Sequence, residues 1–170
     1  MLFRSGARYT ASQFARIGHK PVFQTRIVVG SDKTHTRFWV GITSSDVASG
    51  NHKTSLPASS LWLTCDVESG DTNWMLRAKD ATTQSTDIDT GVAYTADHEY
   101  VVTLQVESST TVRWQIEDVT AVTVTSALST PSKMPAAAAS LSPNVYGFTV
   151  DNVAKHVYIN AMLYTSLPYP

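Results

Sequence analysis

Apolar and polar residues alternate along most of this chain, with the two-residue period of a half-buried β-strand. In residues 37–43, Phe38, Val40 and Ile42 fall on one face, which predicts a strand that packs on a core. Residues 22–29 alternate in the same way, and a Gly-Ser-Asp turn separates the two runs. We therefore predict that the two runs form an antiparallel hairpin.

Further runs of similar length and period follow, with turn-forming residues between them. These runs are residues 61–67, 72–79, 87–92, 98–107, 112–117, 121–125, 145–150 and 156–167. In the last run, the alternation predicts that four side chains face the core: Val157, Ile159, Ala161 and Leu163. Residues 44–60 are predicted to be a loop, and residues 128–143 a loop or a single helical turn. Such a series predicts an all-β protein, a two-sheet antiparallel sandwich of jelly-roll type.

The length of 170 residues suits one domain, which can bury about 70% of its unfolded surface. We assign residues 22–170 to a single β-sandwich domain and residues 1–21 to an N-terminal arm or edge strand. A single cysteine excludes an internal disulfide. Cys65 lies on the apolar side of its run, which predicts a buried, unreactive thiol.

Charge is low and evenly spread, with 13 basic and 14 acidic residues. No basic patch is present, so we expect no nucleic-acid partner. No apolar run is long enough to cross a membrane, and the N-terminus lacks the apolar core of a signal peptide. A surface rich in Ser and Thr with only 16% charged residues is typical of extracellular or virion proteins.

Several stretches resemble a known family: residues 37–41 (RFWVG), 71–74 (DTNW) and 89–91 (DTG). Their order along residues 22–167 is similar to the concanavalin A-like lectin/glucanase sandwich, and more narrowly to its versions in tail fibres, tail spikes and head decorations of tailed bacteriophages. The resemblance implies a jelly roll, a virion location and other virion proteins as partners. One departure is Asp118-Val119-Thr120, where the family usually turns through Asp-Gly or Asn-Gly. We therefore expect a wider or differently registered hairpin there.

Carboxylates offer candidate catalytic and metal sites. Glucanases of this family need acids clustered on one strand, and retaining glycosidases need two carboxyl groups about 5 Å apart. Asp87 and Asp89 share a face, but no third acid follows, so we predict no catalytic residue and no enzyme. Six residues offer oxygen ligands to Ca²⁺ without a recognisable loop spacing: Asp66, Asp71, Asn73, Asp80, Asp87 and Asp89. The histidines also lack ligand spacing, so we predict no metal and no cofactor.

Two tryptophans fall opposite the apolar faces of their strands. Trp39 and Trp62, with Arg37 beside the first, are candidates for contact with a neighbouring subunit or a glycan. The alternative is that a second packing layer or a long loop covers them. Trp114 alternates with apolar residues and is predicted to lie in the core.

Together with these patterns, the resemblance implies a non-enzymatic structural or decoration module of a bacteriophage particle, located on the virion and mediating protein–protein contacts. Its partners would be other virion proteins and further copies of itself, with a trimer left open. The alternative is a lectin-like carbohydrate-binding module that recognises host-surface glycans. A glycoside hydrolase is the third class, disfavoured by the missing acid pattern.

Overall fold

Strands dominate the part of the chain that the computed structural model describes. It describes the backbone of residues 2–3, 7–10, 15–45, 52–149 and 155–165, and side chains within residues 16–45, 52–149 and at residue 159. Within these ranges the strands are β1 Leu2–Phe3, β2 Ala7–Thr10, β3 Ala15–Arg16, β4 Val22–Val29, β5 Thr36–Thr43, β6 Ser60–Asp66, β7 Asn73–Lys79, β8 Ile88–Ala93, β9 Glu99–Val106, β10 Val112–Asp118, β11 Thr123–Ser129, β12 Ser140–Thr149 and β13 Lys155–Thr165. Two 3-10 turns, Ile17–His19 and Val67–Ser69, accompany them. None of the described residues forms a helix long and apolar enough to cross a bilayer.

The strands form two antiparallel sheets, so the predicted all-β, two-sheet sandwich is confirmed. The six-stranded sheet has the order β1-β13-β4-β9-β10-β11. The seven-stranded sheet has the order β2-β12-β5-β6-β7-β8, and β3 also pairs with β12. Residues of the N-terminal arm thus add a strand to each sheet, because β1 pairs with β13 while β2 and β3 pair with β12.

The core lies between the sheets, where the period-two alternation places its apolar residues. On β9, every second residue from Tyr100 to Val106 is buried, and β4 follows the same rule. Aromatic rings fill the centre: Trp74 makes edge contacts with Tyr94 and Tyr100, with ring centroids 5.2 and 5.6 Å apart. Trp114 is 3% exposed, as predicted from its alternation.

The predicted hairpin between residues 22–29 and 37–43 is wrong, although both strands exist. β4 pairs with β9 and β13 in one sheet, whereas β5 pairs with β6 and β12 in the other. The intervening turn, where His35 has a φ of 54°, therefore carries the chain across the sandwich. Alternation identifies the face of a strand that is buried, but it does not identify the strand that pairs with it.

Strand ends also differ from the prediction between β11 and β12. β11 runs to Ser129, and β12 begins at Ser140 and contains Pro143, so the connecting loop is shorter than predicted. Proline in a sheet is tolerated where no backbone donor is needed. Pro143 lies opposite Ile42 of β5, and the pairings of β12 with β2 and β3 do not include it.

The hairpin joining β10 to β11 is wider than a two-residue turn, as the departure from the family pattern predicted. Residues 119–122 form its loop, and the register resumes by pairing Asp118 with Thr123. One carboxylate oxygen of Asp118 accepts a hydrogen bond from the Ala121 backbone N–H at 2.9 Å. Val122 closes the loop with a φ of 55°, in the left-handed region.

The alternation predicted through β13 is interrupted. Ile159 pairs with Ile27, but the register then shifts and Ala161 pairs with Arg26. Arg26 and Gln24, the partners of Ala161 and Leu163, lie on the outer face of β4. Thr25 and Phe23, the partners of Met162 and Tyr164, are buried. A bulge adds one residue to a strand and therefore changes the phase of the pattern that follows it.

The core packing predicts that Ile42→Ala lowers the free energy of unfolding by about 2–5 kcal/mol, because Ile42 is 2% exposed and truncation leaves a cavity. Urea unfolding followed by tryptophan fluorescence measures the effect. Thr86→Ala, at an exposed loop position, is the control and should change stability by less than about 0.5 kcal/mol. Equal losses in the two variants would contradict the assigned core.

Thr43 is not such a control, although the sequence places it on an outward face. Its side chain is 1% exposed, and its hydroxyl donates a hydrogen bond to the Ser45 carbonyl at 3.1 Å. Thr43 is therefore buried although it lies opposite the core face of β5.

Candidate functional site

The outer face of the seven-stranded sheet is covered where it would ordinarily meet water. Every residue of β6 is buried, and so are seven of the eight in β5. A strand that is buried on both faces must have a layer on each side. One side is the core between the sheets, and the other is a second layer to which the segment after β5 contributes Leu56, 2% exposed.

Aromatic residues form one half of this layer, which we call the outer aromatic cluster. Its members are Trp39, Leu56, Trp62, Tyr146 and Phe148. The Trp39 ring lies 5.6 Å from that of Trp62 and 6.4 Å from that of Tyr146, both in edge contacts. Tyr146 stacks on Phe148 at 6.5 Å. Edge and stacked contacts at these distances contribute beyond simple area burial.

Gly41 makes room for the cluster. It pairs with Trp62 across β5 and β6. A Cβ atom at Gly41 would lie 2.1 Å from the Leu61 carbonyl oxygen and 2.9 Å from the Trp62 ring. Both distances are far below a van der Waals contact, so only glycine permits this approach of strand and indole.

Trp39 and Trp62 are therefore not the contact residues that the sequence suggested. Their exposed fractions are 1% and 0%, and among the described residues neither indole N–H has a hydrogen-bond partner. The chain covers them itself, which is the alternative of a second packing layer. Arg37 lies at the margin of the cluster with 15% of its side chain exposed, its guanidinium 5.8 Å from the Phe148 ring and its Nε 3.4 Å from an Asp66 oxygen.

Arg77 is the centre of the other half of the layer, the buried charge cluster. Its two terminal nitrogens donate to the two oxygens of Asp71 at 2.7 and 3.0 Å, a bidentate pair. Its Nε donates to Asp87 at 2.9 Å, and one terminal nitrogen also reaches the Thr64 hydroxyl. Burial alone lowers the pKa of Arg77, but its bonds to Asp71 and Asp87 outweigh that effect and raise the pKa above its ordinary value. The guanidinium is therefore charged although only 1% of it is exposed.

The buried carboxylates are also satisfied by backbone donors. Asp71 accepts a hydrogen bond from the Asp66 N–H at 2.9 Å. Asp66 accepts from the Ser69 N–H at 3.0 Å and from the Lys53 N–H at 3.1 Å. The Lys53 ammonium lies 3.5 Å from Asp71. Lys53 thus ties the segment after β5 to the charge cluster.

A row of side chains that are partly or fully exposed to solvent continues from this cluster to the edge of the sheet. We call it the polar strip, because all but one of its members are polar. It consists of Asn73, Met75, Gln84, Asp87 and Asp89. Met75 and Asp89 are paired across β7 and β8 and so share a face. The Asn73 amide donates to both oxygens of Asp89 at 3.1 Å, and the Gln84 amide lies 3.5 Å from Asp87.

Hydrogen bonds from the protein hold the carboxylates of the strip in fixed orientations. Asp87 is fixed by Arg77 but keeps 30% of its side chain exposed. Asp89 is exposed and also accepts the Gly91 N–H at 2.8 Å. Each carboxylate is thus oriented by donors from the protein and retains free lone pairs toward solvent. The strip can bind a ligand that offers several hydroxyl groups.

Metal binding receives no support from the described residues, in which no group of three His, Cys, Asp or Glu side chains could hold an ion. Three of the acids that the sequence offered as calcium ligands, Asp66, Asp71 and Asp87, lie in the charge cluster, where Arg77 or backbone N–H groups donate to their oxygens. Asp80 accepts from the Thr82 and Thr83 backbone at 2.7 Å each, which lowers its pKa.

Cys65 is buried, as the sequence predicted, on the core side of β6. Burial raises the pKa of its thiol far above the ordinary value, and Asp71 raises it further. Its sulfur lies 3.7 Å from the Asp71 carbonyl oxygen. A thiol in this environment stays protonated at neutral pH.

The sequence does not reveal the charge cluster, because its members lie in different elements of the chain. Asp71 is in a turn, Arg77 in a strand and Asp87 before another strand. A signal was present in Arg77 itself, since an arginine between Leu76 and Ala78 interrupts an apolar run. Such a residue in the middle of a covered strand requires a buried partner.

The comparisons with known proteins are structural. No protein-family model matches the chain, and no curated protein matches it in sequence. The Lotus tetragonolobus seed lectin has a TM-score of 0.64 at 8% identity, over 98% of this chain and 84% of that one. The carbohydrate-binding module CBM66 from Bacillus subtilis has 0.54 at 8%, over 95% and 83%. The tailspike protein 2 of bacteriophage CBA120 has 0.54 at 15%, over 89% of this chain but 23% of that one. At such identities the similarity is one of fold, a β-sandwich of two antiparallel sheets.

The charge cluster predicts that two arginine-to-alanine substitutions lower the free energy of unfolding by very different amounts. Arg77→Ala should lower the free energy of unfolding by about 3–5 kcal/mol, because it leaves Asp71 buried without its bidentate partner. Arg113→Ala is the matched control: Arg113 pairs with Glu107 at 2.9 Å but is 50% exposed, so less than about 1 kcal/mol is expected. Chemical denaturation of both variants measures the difference, and similar losses would contradict the cluster's role.

Proposed function

We propose that this chain is a non-enzymatic carbohydrate-binding module that binds glycans on the polar strip. The observation that carries the proposal is the strip itself, a set of carboxylate and amide groups held in place beside the apolar side chain of Met75. Sugar hydroxyls donate and accept hydrogen bonds, and sugar C–H groups pack on apolar surface. Sites of this kind have few polar groups, placed accurately by a rigid scaffold.

The fold supports this proposal without deciding it. Structures similar to this chain include a seed lectin and a carbohydrate-binding module. One fold hosts many functions, so the side chains of the strip decide whether this domain binds a glycan.

The charge of the strip narrows the class of glycan. Asp89 is exposed without a cationic partner among its hydrogen bonds, and Asp87 is partly open. These carboxylates accept hydrogen bonds from neutral hydroxyl groups and repel a second carboxylate. We therefore expect neutral or amino sugars to bind in preference to acidic sugars.

A structural or decoration role on a bacteriophage particle, which the sequence favoured, is now the second candidate. It is supported by the low charge of the chain and by the similarity to a tailspike domain, of which this chain covers a minor part. Burial of Trp39 and Trp62 removes them as contact residues for either a neighbouring subunit or a glycan. The two functions are compatible, since a glycan-binding domain on a virion would recognise the host surface.

Two matched substitutions test whether the strip binds the ligand found on a glycan array. Asp89→Asn removes a charged acceptor but keeps the shape of the side chain, and should weaken binding of the array's ligand at least tenfold, equivalent to about 1.4 kcal/mol. Glu117→Gln makes the same chemical change on β10, in the other sheet, and should leave binding unchanged. Calorimetry with the best array ligand measures both. Absence of any glycan ligand, or equal loss in both variants, would refute the proposal.

Catalysis is predicted to be absent, because Asp87 and Asp89 share a face without the third acid of a glucanase strand. Incubation with a panel of β-glucans, agar, chitin and bacterial polysaccharides should release no reducing sugar. Turnover that disappears in Asp87→Ala or Asp89→Ala would overturn this expectation.

A further inference from the structure

Among the described strands, β11 lies at an edge of the six-stranded sheet and pairs with β10 alone. None of its seven residues, TVTSALS, is buried, and none is charged, a proline or a glycine. Its register with β10 is continuous, without a bulge. Natural sheet edges are usually protected by charge, proline, bulges or short length, because their free N–H and C=O groups can pair with another strand. β11 has none of these protections.

The other edges among the described strands are protected. β8 carries Asp89 and Gly91 and has a register shift against β7. β1 has two residues and β2 has four, so each offers few backbone groups. The lack of protection is therefore specific to β11.

Exposed apolar side chains concentrate on the same stretch. The large hydrophobic residues most exposed in the described part of the chain are Val122 at 88%, Val124 at 61% and Leu128 at 56%. Val122 also has a left-handed backbone, which a β-branched residue adopts only with strain. The loop thus presents a valine at a position that glycine or asparagine would occupy more easily.

We infer that β11 pairs antiparallel with β11 of a second copy of this chain, about a two-fold axis at Ser126. Outer-face residues alternate along the strand, so Val124, Ser126 and Leu128 share one side. Pairing about Ser126 sets Val124 opposite Leu128 of the second copy, and Leu128 opposite Val124 of the second copy. On the other face Thr125 lies opposite Ala127 of the second copy. The two most exposed apolar residues of the strand thereby cover each other.

A second copy fits this edge because the strand is complementary to itself. Neither strand brings a charge, so the pairing creates no like-charge contact. It joins two six-stranded sheets into one continuous sheet and uses up both free edges. Such an isologous contact closes at two copies, so this edge forms a dimer and not a trimer.

The contact is small. One strand pair buries less than the standard interface of about 1,600 Å², so the dimer should depend on concentration over the micromolar range. The polar strip lies on β7 and β8 of the other sheet, and it stays open in this dimer. The inference therefore does not rest on glycan binding.

Sedimentation velocity over a concentration series tests the inference. The mass should rise from 18.5 kDa toward twice that value. Val124→Glu places two carboxylates in the contact and should raise the dissociation constant at least tenfold. Ala81→Glu, at an exposed turn before β8, adds the same charge elsewhere and should leave it unchanged. A chain that stays monomeric throughout, or a dimer that Val124→Glu does not weaken, would overturn the inference.

A cross-link gives an independent test with a conservative substitution. Residues directly opposite in an antiparallel pair have Cα atoms about 4.5–5.5 Å apart, within the range of a disulfide. In Ser126→Cys, oxidised glutathione should therefore join two chains, with two thiols losing their protons and two electrons to give two molecules of reduced glutathione. Cys65 is buried and does not compete.

Ser109→Cys, at the exposed turn between β9 and β10, is the control for random collision. A dimer band on a non-reducing gel is expected for Ser126→Cys alone. Equal cross-linking of the two variants, or none in either, would overturn the proposed register. Far-UV circular dichroism verifies that each variant is folded.

Discussion

The pair between Arg77 and Asp71 is the interaction on which the outer layer of the seven-stranded sheet depends. A guanidinium beneath the surface is tolerated only with partners that replace its water, and Arg77 has them in Asp71, Asp87 and Thr64. Those partners come from a turn, a loop and a neighbouring strand. The pair therefore fixes the relative positions of segments that are distant in the chain. The same pair also fixes the position of the polar strip, because Asp87 belongs both to the strip and to the charge cluster.

The outer face of the seven-stranded sheet is covered partly by aromatic packing and partly by charge pairs. Gly41 lets Trp62 lie against β5, and the resulting cluster covers the strands nearest to β12. Arg77 and its partners cover the strands nearest to β8. In the described part of the chain, the polar groups of this layer meet solvent at the margin formed by β7 and β8. The candidate ligand site is thus the exposed end of a structure whose larger part is internal.

Alternation in the sequence identified nearly all the long strands, because one face of each packs on the core. It could not identify the pairing of β4 with β9, since hydrogen-bonding partners leave no mark on the period of a strand. It separated the face of Trp39, Trp62 and Thr43 from the core face, but period two does not show whether the second face is covered. Arg77 was missed for a related reason: its partners Asp71 and Asp87 are recognisable only once the sheet has formed.

The order of strands has a consequence for folding during synthesis. β4 and β5 are made early, but each lies beside a strand from the far end of the described chain, β13 and β12 respectively. Until those strands have left the ribosome, both sheets lack an inner member, and the backbone N–H and C=O groups on one side of β4 and β5 stay unpaired. Pairing of such distant segments makes folding slow, since long loops must close first. A nascent chain of this topology would need shielding from its neighbours on a polysome for most of its translation.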